Sequence, residues 1–253
     1  MGILNLTPDS FYDGNDYLNN KSIRSIKQKY KYADIVDIGA ESSRPGSLRI
    51  NKKEELLRIS QFNNKIFKDK ILSIDSYKPH VIEKCLNNGY NMINDISGGG
   101  KNFVNIDLAK KYNVPIILMH MNGTPETMQE NPTYNNVIDD INKYFYNRIE
   151  YCNNIGFNLN NIILDPGIGF GKTLRHNKEI LLNLNEFKHF GCKILLGISR
   201  KSFLSINNDL PKDRLSQTLA ISTLCLRDGV DIIRVHDVAD TFKMINIINR
   251  IYQ

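Results

Sequence analysis

Eight short apolar runs recur along the chain, at residues 2–6, 35–39, 71–75, 92–96, 115–119, 162–165, 193–199 and 231–236, each rich in Ile, Leu or Val and most closing on a polar residue or glycine. None is long enough for a helix, and their near-continuous apolar character predicts strands buried on both faces. The stretches between them carry helical periodicity, as at 81–86 and 215–226, and often stop at glycine, as at Gly89 and Gly229. Eight strand–helix alternations in 253 residues have the length and rhythm of an α/β protein of the (β/α)8 TIM-barrel type. A doubly wound open sheet is the alternative. No Pro/Ser-rich linker or low-complexity tract divides the chain, which predicts a single domain over residues 1–253.

Such an architecture has a geometric consequence. All strands of a TIM barrel run the same way, and the site forms at their C-terminal ends. Those ends carry Asn5, Asp37, Asp75, Asn94, His120, Asp165, Lys201, Arg234 and His236. Arg234 and His236 lie two residues apart and so share one face of the last strand. Carboxylates, amides and cations around one rim suit a polar, partly anionic ligand that makes many hydrogen bonds.

Charge narrows the choice little. The formal net charge is +6, with 33 Lys+Arg against 27 Asp+Glu, which fits an anionic ligand, nucleic acid or simple solubility. The basic residues are scattered as on solvated helix faces, so nucleic acid is not an expected partner. Cys85, Cys152, Cys192 and Cys225 show neither a disulfide framework nor zinc-type spacing. That dispersal suits a reducing, cytoplasmic setting. No apolar run approaches the roughly 18 residues of a membrane span, and no membrane partner is expected.

Two loops draw attention. Residues 165–173 end in Gly171-Lys-Thr173 like the second half of a P-loop, but the glycine required five residues before Gly171 is Pro166. A dinucleotide fingerprint fails too, because Lys172 stands where its last glycine belongs. The segment reads instead as a strand-ending carboxylate followed by glycines that let a flat ligand approach the backbone. Residues 5–14 start at a strand end and continue through turn-forming residues, as a loop over the rim does.

Eight strings taken together carry a resemblance: residues 1–11, Gly39-Ala-Glu-Ser-Ser-Arg-Pro-Gly46, Ser73-Ile-Asp-Ser76, Ile93-Asn-Asp-Ile96, Leu118-Met-His-Met121, residues 165–172, Ser199-Arg-Lys-Ser202 and Arg234-Val-His-Asp237. In this order, on successive strand ends, they resemble the dihydropteroate synthases. The resemblance implies a pterin-binding TIM-barrel transferase of folate biosynthesis and a target of sulfonamides. Such an enzyme condenses 6-hydroxymethyl-7,8-dihydropterin pyrophosphate with 4-aminobenzoate, with Mg2+ as cofactor. It further implies a homodimer.

Carried onto matching positions, the resemblance makes Asp165 the acceptor for the pterin donor edge. Asp75 and Asn94 complete that edge, and Lys201 donates to the pterin carbonyl. Ile96, Met119 and Arg234 pack on the pterin faces. Asn5 reaches Mg2+, while Arg44, Arg234 and His236 hold the pyrophosphate. Asp13 steadies the positive charge that develops as the pterin CH2–O bond ionises. Phe170, Pro45 and Lys201 flank the 4-aminobenzoate ring, with Ser202 near its carboxylate and Ser43 beside Arg44 on the second loop. The catalytic group is thus Asp13, Arg44, Lys201, Arg234 and His236.

Ala40, Ser43, Asn15 and Ile168 depart from the family pattern, and the chain opens at the first strand, without the leader usual there. A pterin-binding methyltransferase shares the barrel but has no use for a pyrophosphate site. A non-catalytic pterin-binding module would have lost Asn5, Asp13 or Arg44, all of which are present.

Overall fold

All eight expected strands form and pair in parallel, in chain order: β1 (Gly2–Asn5), β2 (Ile35–Gly39), β3 (Ile71–Asp75), β4 (Met92–Asp95), β5 (Ile116–Met119), β6 (Ile162–Asp165), β7 (Lys193–Leu196) and β8 (Ile232–Ile233). The computed structural model describes residues 1–7, 20–42 and 46–252, so Asp13, Ser43, Arg44 and Pro45 lie outside the described residues. Between the strands run α1 (Asn20–Lys29), α2 (Lys52–Ser60), α3 (Pro79–Asn87), α4 (Val104–Tyr112), α5 (Val137–Asn154), α6 (Leu174–Leu182) and α7 (Leu215–Arg227), and α8 (Val238–Tyr252) follows β8.

The ring closes between its first and last strands. Gly2 bridges Val235 in parallel, Ile3 N–H donates to the Val235 carbonyl at 2.9 Å, and Val235 N–H donates to the Met1 carbonyl at 2.9 Å. An open sheet has no such contact, which excludes the doubly wound alternative. Closure also explains Gly2: a Cβ there would lie 2.8 Å from both the Tyr30 ring and Val238. The last strand is shorter than its apolar run because Val235 turns from β7 to pair with β1.

Period-two alternation divides each strand between two environments. Outward residues such as Val36, Ile38, Ile74, Ile93, Leu118, Leu164, Ile194 and Leu196 are buried against the helices. Inward residues change character along the barrel axis. Ile35, Met92, Ile117, Ile163 and Leu195 form an apolar floor on which Met1 and Ile232 pack. Two residues further along the same faces stand Asp37, Asn94, Met119, Asp165 and Arg234. The polar rim rests directly on that floor.

Asparagine, heavily used in this chain, stabilises several helix starts. The side chains of Asn51 and Asn136 each accept two backbone N–H groups at the first turns of α2 and α5. Thr173 caps α6 in a capping box with His176.

Candidate active site

Strand register sets the layout. Asn5 of β1 lies beside Gly39 of β2, Gly39 beside Asp75 of β3, and Asp75 beside Asn94 of β4, while Met119 of β5 lies beside Asp165 of β6. Gly39 makes room in this row, since a Cβ there would stand 3.1 Å from that of Asp75.

Arg234 reaches across the barrel mouth to two carboxylates. Its Nε donates to Asp37 Oδ2 at 2.6 Å and its Nη2 to Asp75 Oδ2 at 2.6 Å. Asn94 Nδ2 donates to the same Asp37 oxygen at 2.9 Å. Burial pushes the Asp75 carboxyl up to about 7: the guanidinium pulls it back, but Asp37 shares that guanidinium and adds its own repulsion. Arg234 itself is held above the ordinary guanidinium range by the two carboxylates, despite burial. The guanidinium expected to meet pyrophosphate is turned, through Nε and Nη2, to Asp37 and Asp75. The helix after Asp75, α3, begins at Pro79 behind Lys78 with no side-chain cap.

Across the mouth, Asp165 Oδ1 accepts the Gly167 N–H at 2.8 Å, and burial raises the Asp165 carboxyl above its ordinary range against the pull of Lys201 and Lys172. Lys201 donates to the Ile168 carbonyl, and its Nζ stands 4.4 Å from the Phe170 ring centroid. Burial lowers the Lys201 amine to about 8, with Asp165 opposing. Lys172, the residue that made the loop look like a P-loop, is directed inward. Its Nζ lies 2.9 Å from His120 Nδ1 and 3.0 Å from the Phe170 carbonyl. Burial lowers that amine to about 7 and, with Lys172 and Arg148 nearby, the His120 imidazole to about 2.

The glycines of this loop answer mainly to the protein rather than to a flat ligand. Gly167 and Gly171 take φ of +69° and +63°, and a Cβ on them would stand 1.9 Å from the His120 carbonyl oxygen and 2.3 Å from that of Asn122. Gly169 alone faces a site residue, 3.3 Å from Lys201 Cδ.

His236 is oriented by Ser199, whose Oγ lies 3.0 Å from its Nδ1 and accepts its backbone N–H at 3.2 Å. Ile96 and Asp75 line a small recess together with Glu41, Ser42, Glu55, Ser76 and Tyr77. At the root of the second loop Lys78 pairs with Glu41 and, at 2.5 Å, with the buried Glu55.

The rim thus gathers Asp75, Asn94, Asp165, Lys201 and Arg234, with Phe170 against Lys201 and Ser202 opening the turn beyond it. Asn5 closes β1 on the same row, half-buried. Among the described residues no three His, Cys, Asp or Glu side chains gather to hold a metal by themselves. Asn5 offers one amide oxygen, a donor that suits a hard cation whose other ligands are phosphate oxygens and water. Sequence reasoning gave no role to Asp37, Lys172 or His120. An ionisable side chain at an inward barrel position demands a buried partner, and Asp37 and Arg234 both carry that signal.

The model of a family described as pterin binding enzyme matches residues 1–236. Dihydropteroate synthase of Escherichia coli is 39% identical over 255 residues, covering 98% of this chain and 89% of the relative. The chain belongs to the dihydropteroate synthases. Dihydropteroate synthases are transferases, and this protein is an enzyme of that kind. Solved structures agree throughout: the Yersinia pestis dihydropteroate synthase in a sulfonamide drug complex superposes with a TM-score of 0.90 at 38% identity, covering 100% of this chain and 93% of that one. The Clostridium difficile dihydropteroate synthase, in the presence of pteroic acid, gives 0.89 at 39% identity, covering 100% and 95%. Among the described residues no helix is long and apolar enough to cross a membrane.

Proposed function

We propose that this dihydropteroate synthase joins 6-hydroxymethyl-7,8-dihydropterin pyrophosphate to 4-aminobenzoate, releasing pyrophosphate and 7,8-dihydropteroate, with Mg2+ bound at Asn5. The observation that carries the reading is the facing pair of buried centres at the barrel mouth, Arg234 between Asp37 and Asp75 and Asp165 beside Lys201. A pterin edge has an exocyclic amine and a ring N–H beside a carbonyl, so it needs a carboxylate and an ammonium close together. Asp165 and Lys201 supply them. Asp75 and Asn94 complete the edge, each already oriented through the Arg234 and Asp37 contacts. The tethered guanidinium plane, Met119 and Ile96 pack on the pterin faces.

Departure of pyrophosphate calls for positive charge around its oxygens rather than for a base. Arg234, Arg44 of the second loop and His236, which Ser199 orients, hold them. Asn5 would hold Mg2+ against the same oxygens, and the ion would neutralise charge on the leaving group. Asp13 of the first loop steadies the cation left on the dihydropterin. The arylamine of 4-aminobenzoate is neutral at pH 7 and attacks without an activating base. Its ring lies against Phe170, Lys201 and Pro45, with its carboxylate toward Ser202, and Ser43 stands beside Arg44 on the second loop. Closure of the two loops keeps water from the intermediate.

A homodimer in a reducing cytoplasm completes the reading. In its support, α8 exposes Ile247, Ile251 and Tyr252, and all four cysteines are buried thiols outside disulfides.

The test is incubation of the protein with Mg2+, the pterin pyrophosphate and labelled 4-aminobenzoate, which should yield labelled dihydropteroate. A sulfonamide in the amine's place should yield a pterin–sulfonamide adduct. No product from a folded protein rejects the reading. Inhibition without adduct, unrelieved by 4-aminobenzoate, removes the second pocket.

A further inference from the structure

The strings Ser199-Arg-Lys-Ser202 and Arg234-Val-His-Asp237 each contain a charged residue that the reaction leaves without a part, Arg200 and Asp237. The two side chains meet. Arg200 Nε donates to Asp237 Oδ2 at 2.9 Å, and its Nη2 donates to Asp237 Oδ1, a bidentate pair in which Asp237 is mostly shielded from solvent. This pair ties the turn after β7 to the segment joining β8 and α8.

Arg200 is also held through its backbone. Its φ is +59°, in the left-handed region that a side chain ordinarily avoids. Its N–H donates to Thr218 Oγ1 at 3.1 Å and its carbonyl accepts from Arg214 Nη1 at 3.1 Å, both from the start of α7. The residue after this turn is Lys201, which returns to the Ile168 carbonyl and the Phe170 ring. The residue before Asp237 is His236, clasped by Ser199 from the same turn.

We propose that Arg200 and Asp237 are positioning residues whose ion pair holds the left-handed turn at Arg200, and through it sets Lys201 and Ser202 against 4-aminobenzoate. This rests on the reading of Lys201 and Ser202 given above. Neither residue touches a substrate in it, so they act through the turn. The left-handed backbone supplies a way to separate positioning from charge. Alanine and glycine at 200 delete the same guanidinium, but only glycine keeps the turn without strain.

Steady-state kinetics on Asp237→Ala, Arg200→Ala, Arg200→Gly and the double alanine variant tests the proposal, alongside hydrogen exchange of the amides at 201, 204 and 205. Both single alanine variants should melt within a few degrees of the wild type and raise KM for 4-aminobenzoate about five- to tenfold, with kcat changed by less than about threefold. The double variant should be no worse than the worse single. Arg200→Gly should lie closer to the wild type than Arg200→Ala. If Asp237→Ala does not fold, Asp237→Asn, which keeps shape and one acceptor, carries the same comparison. An unchanged KM in the Asp237 variant, additive effects in the double, or equal effects of glycine and alanine at 200 would each overturn the proposal. Should the wild type prove inactive, the function reading fails by itself. The brace is then judged from exchange, which should quicken at 201, 204 and 205 in Asp237→Ala and, if unchanged, overturns it.

Discussion

The two sides of the barrel mouth solve one problem with opposite stoichiometry. On β2, β3 and β8 a single guanidinium, Arg234, serves two carboxylates, Asp37 and Asp75. On β6, β7 and the loops after them two amines, Lys172 and Lys201, flank one carboxylate, Asp165. The first side carries surplus negative charge and the second surplus positive charge, each out of water. Burial therefore moves their ionisations toward neutrality from opposite directions, Asp75 up to about 7 and Lys201 and Lys172 down to about 8 and 7. Groups balanced this way are poised to gain from a ligand that brings the missing partner, and a pterin edge brings donors and an acceptor together.

Removing the shared cation should break the comparison most severely. Arg234→Met leaves two buried carboxylates facing each other and should cost about 3–5 kcal/mol, whereas Lys201→Met leaves Lys172 near Asp165 and should cost about 1–2 kcal/mol. Denaturant unfolding of both variants checks the order, and equal losses would mean that the stoichiometry does not matter. Next in size, Asp165→Asn should weaken pterin binding by about 2–3 kcal/mol, because an amide turns donors toward the pterin's own donors. Calorimetry with an unchanged affinity would make Asp165 part of the scaffold.

A smaller contrast lies within the glycine-rich loop. Gly167→Ala drives a Cβ onto the His120 carbonyl and should cost about 2–3 kcal/mol of stability, while Gly169→Ala meets only the flexible Lys201 stem and should cost about 1 kcal/mol, the strain of its positive φ. Thermal unfolding distinguishes them. Equal melting of the two would mean that the loop yields at Gly167 and relieves the contact with the His120 carbonyl.

The subtlest expectation is a pair of opposite pH slopes. Between 3.8 and about 7 the folded chain keeps a proton on Asp75 that the unfolded chain has released, so this group makes stability fall as pH rises through that window. From about 8 to 10.5 the unfolded chain instead binds the extra proton at Lys201, so stability rises with pH. Urea unfolding across pH should show Asp75→Asn flattening the first slope and Lys201→Met the second. Variants that leave both slopes intact would assign them to other groups.

Much of this is legible in the sequence. The apolar runs marked seven strands to within a few residues, and the strand ends named Asp75, Asn94, Asp165, Lys201 and Arg234 as rim residues. The last run misled as to length because Val235 leaves β7 for β1, a change of partner that no local pattern records. The sequence ruled out a phosphate-binding loop around Lys172 but gave its amine no partner: His120, far away in sequence, draws it inward.

What the sequence determined by itself is the alternation that makes strands, the periodicity that makes helices and the order in which polar residues arrive at strand ends. Those are properties of neighbours along the chain, and they sufficed for the barrel, while the family came from the resemblance of the eight strings. Pairings between Arg234 and two carboxylates contributed by β2 and β3, between Lys172 and His120, and between Arg200 and Asp237 were decided only when the barrel closed. The physical reason is that a buried charge chooses its partner by distance and desolvation, and both are set by closure of the ring.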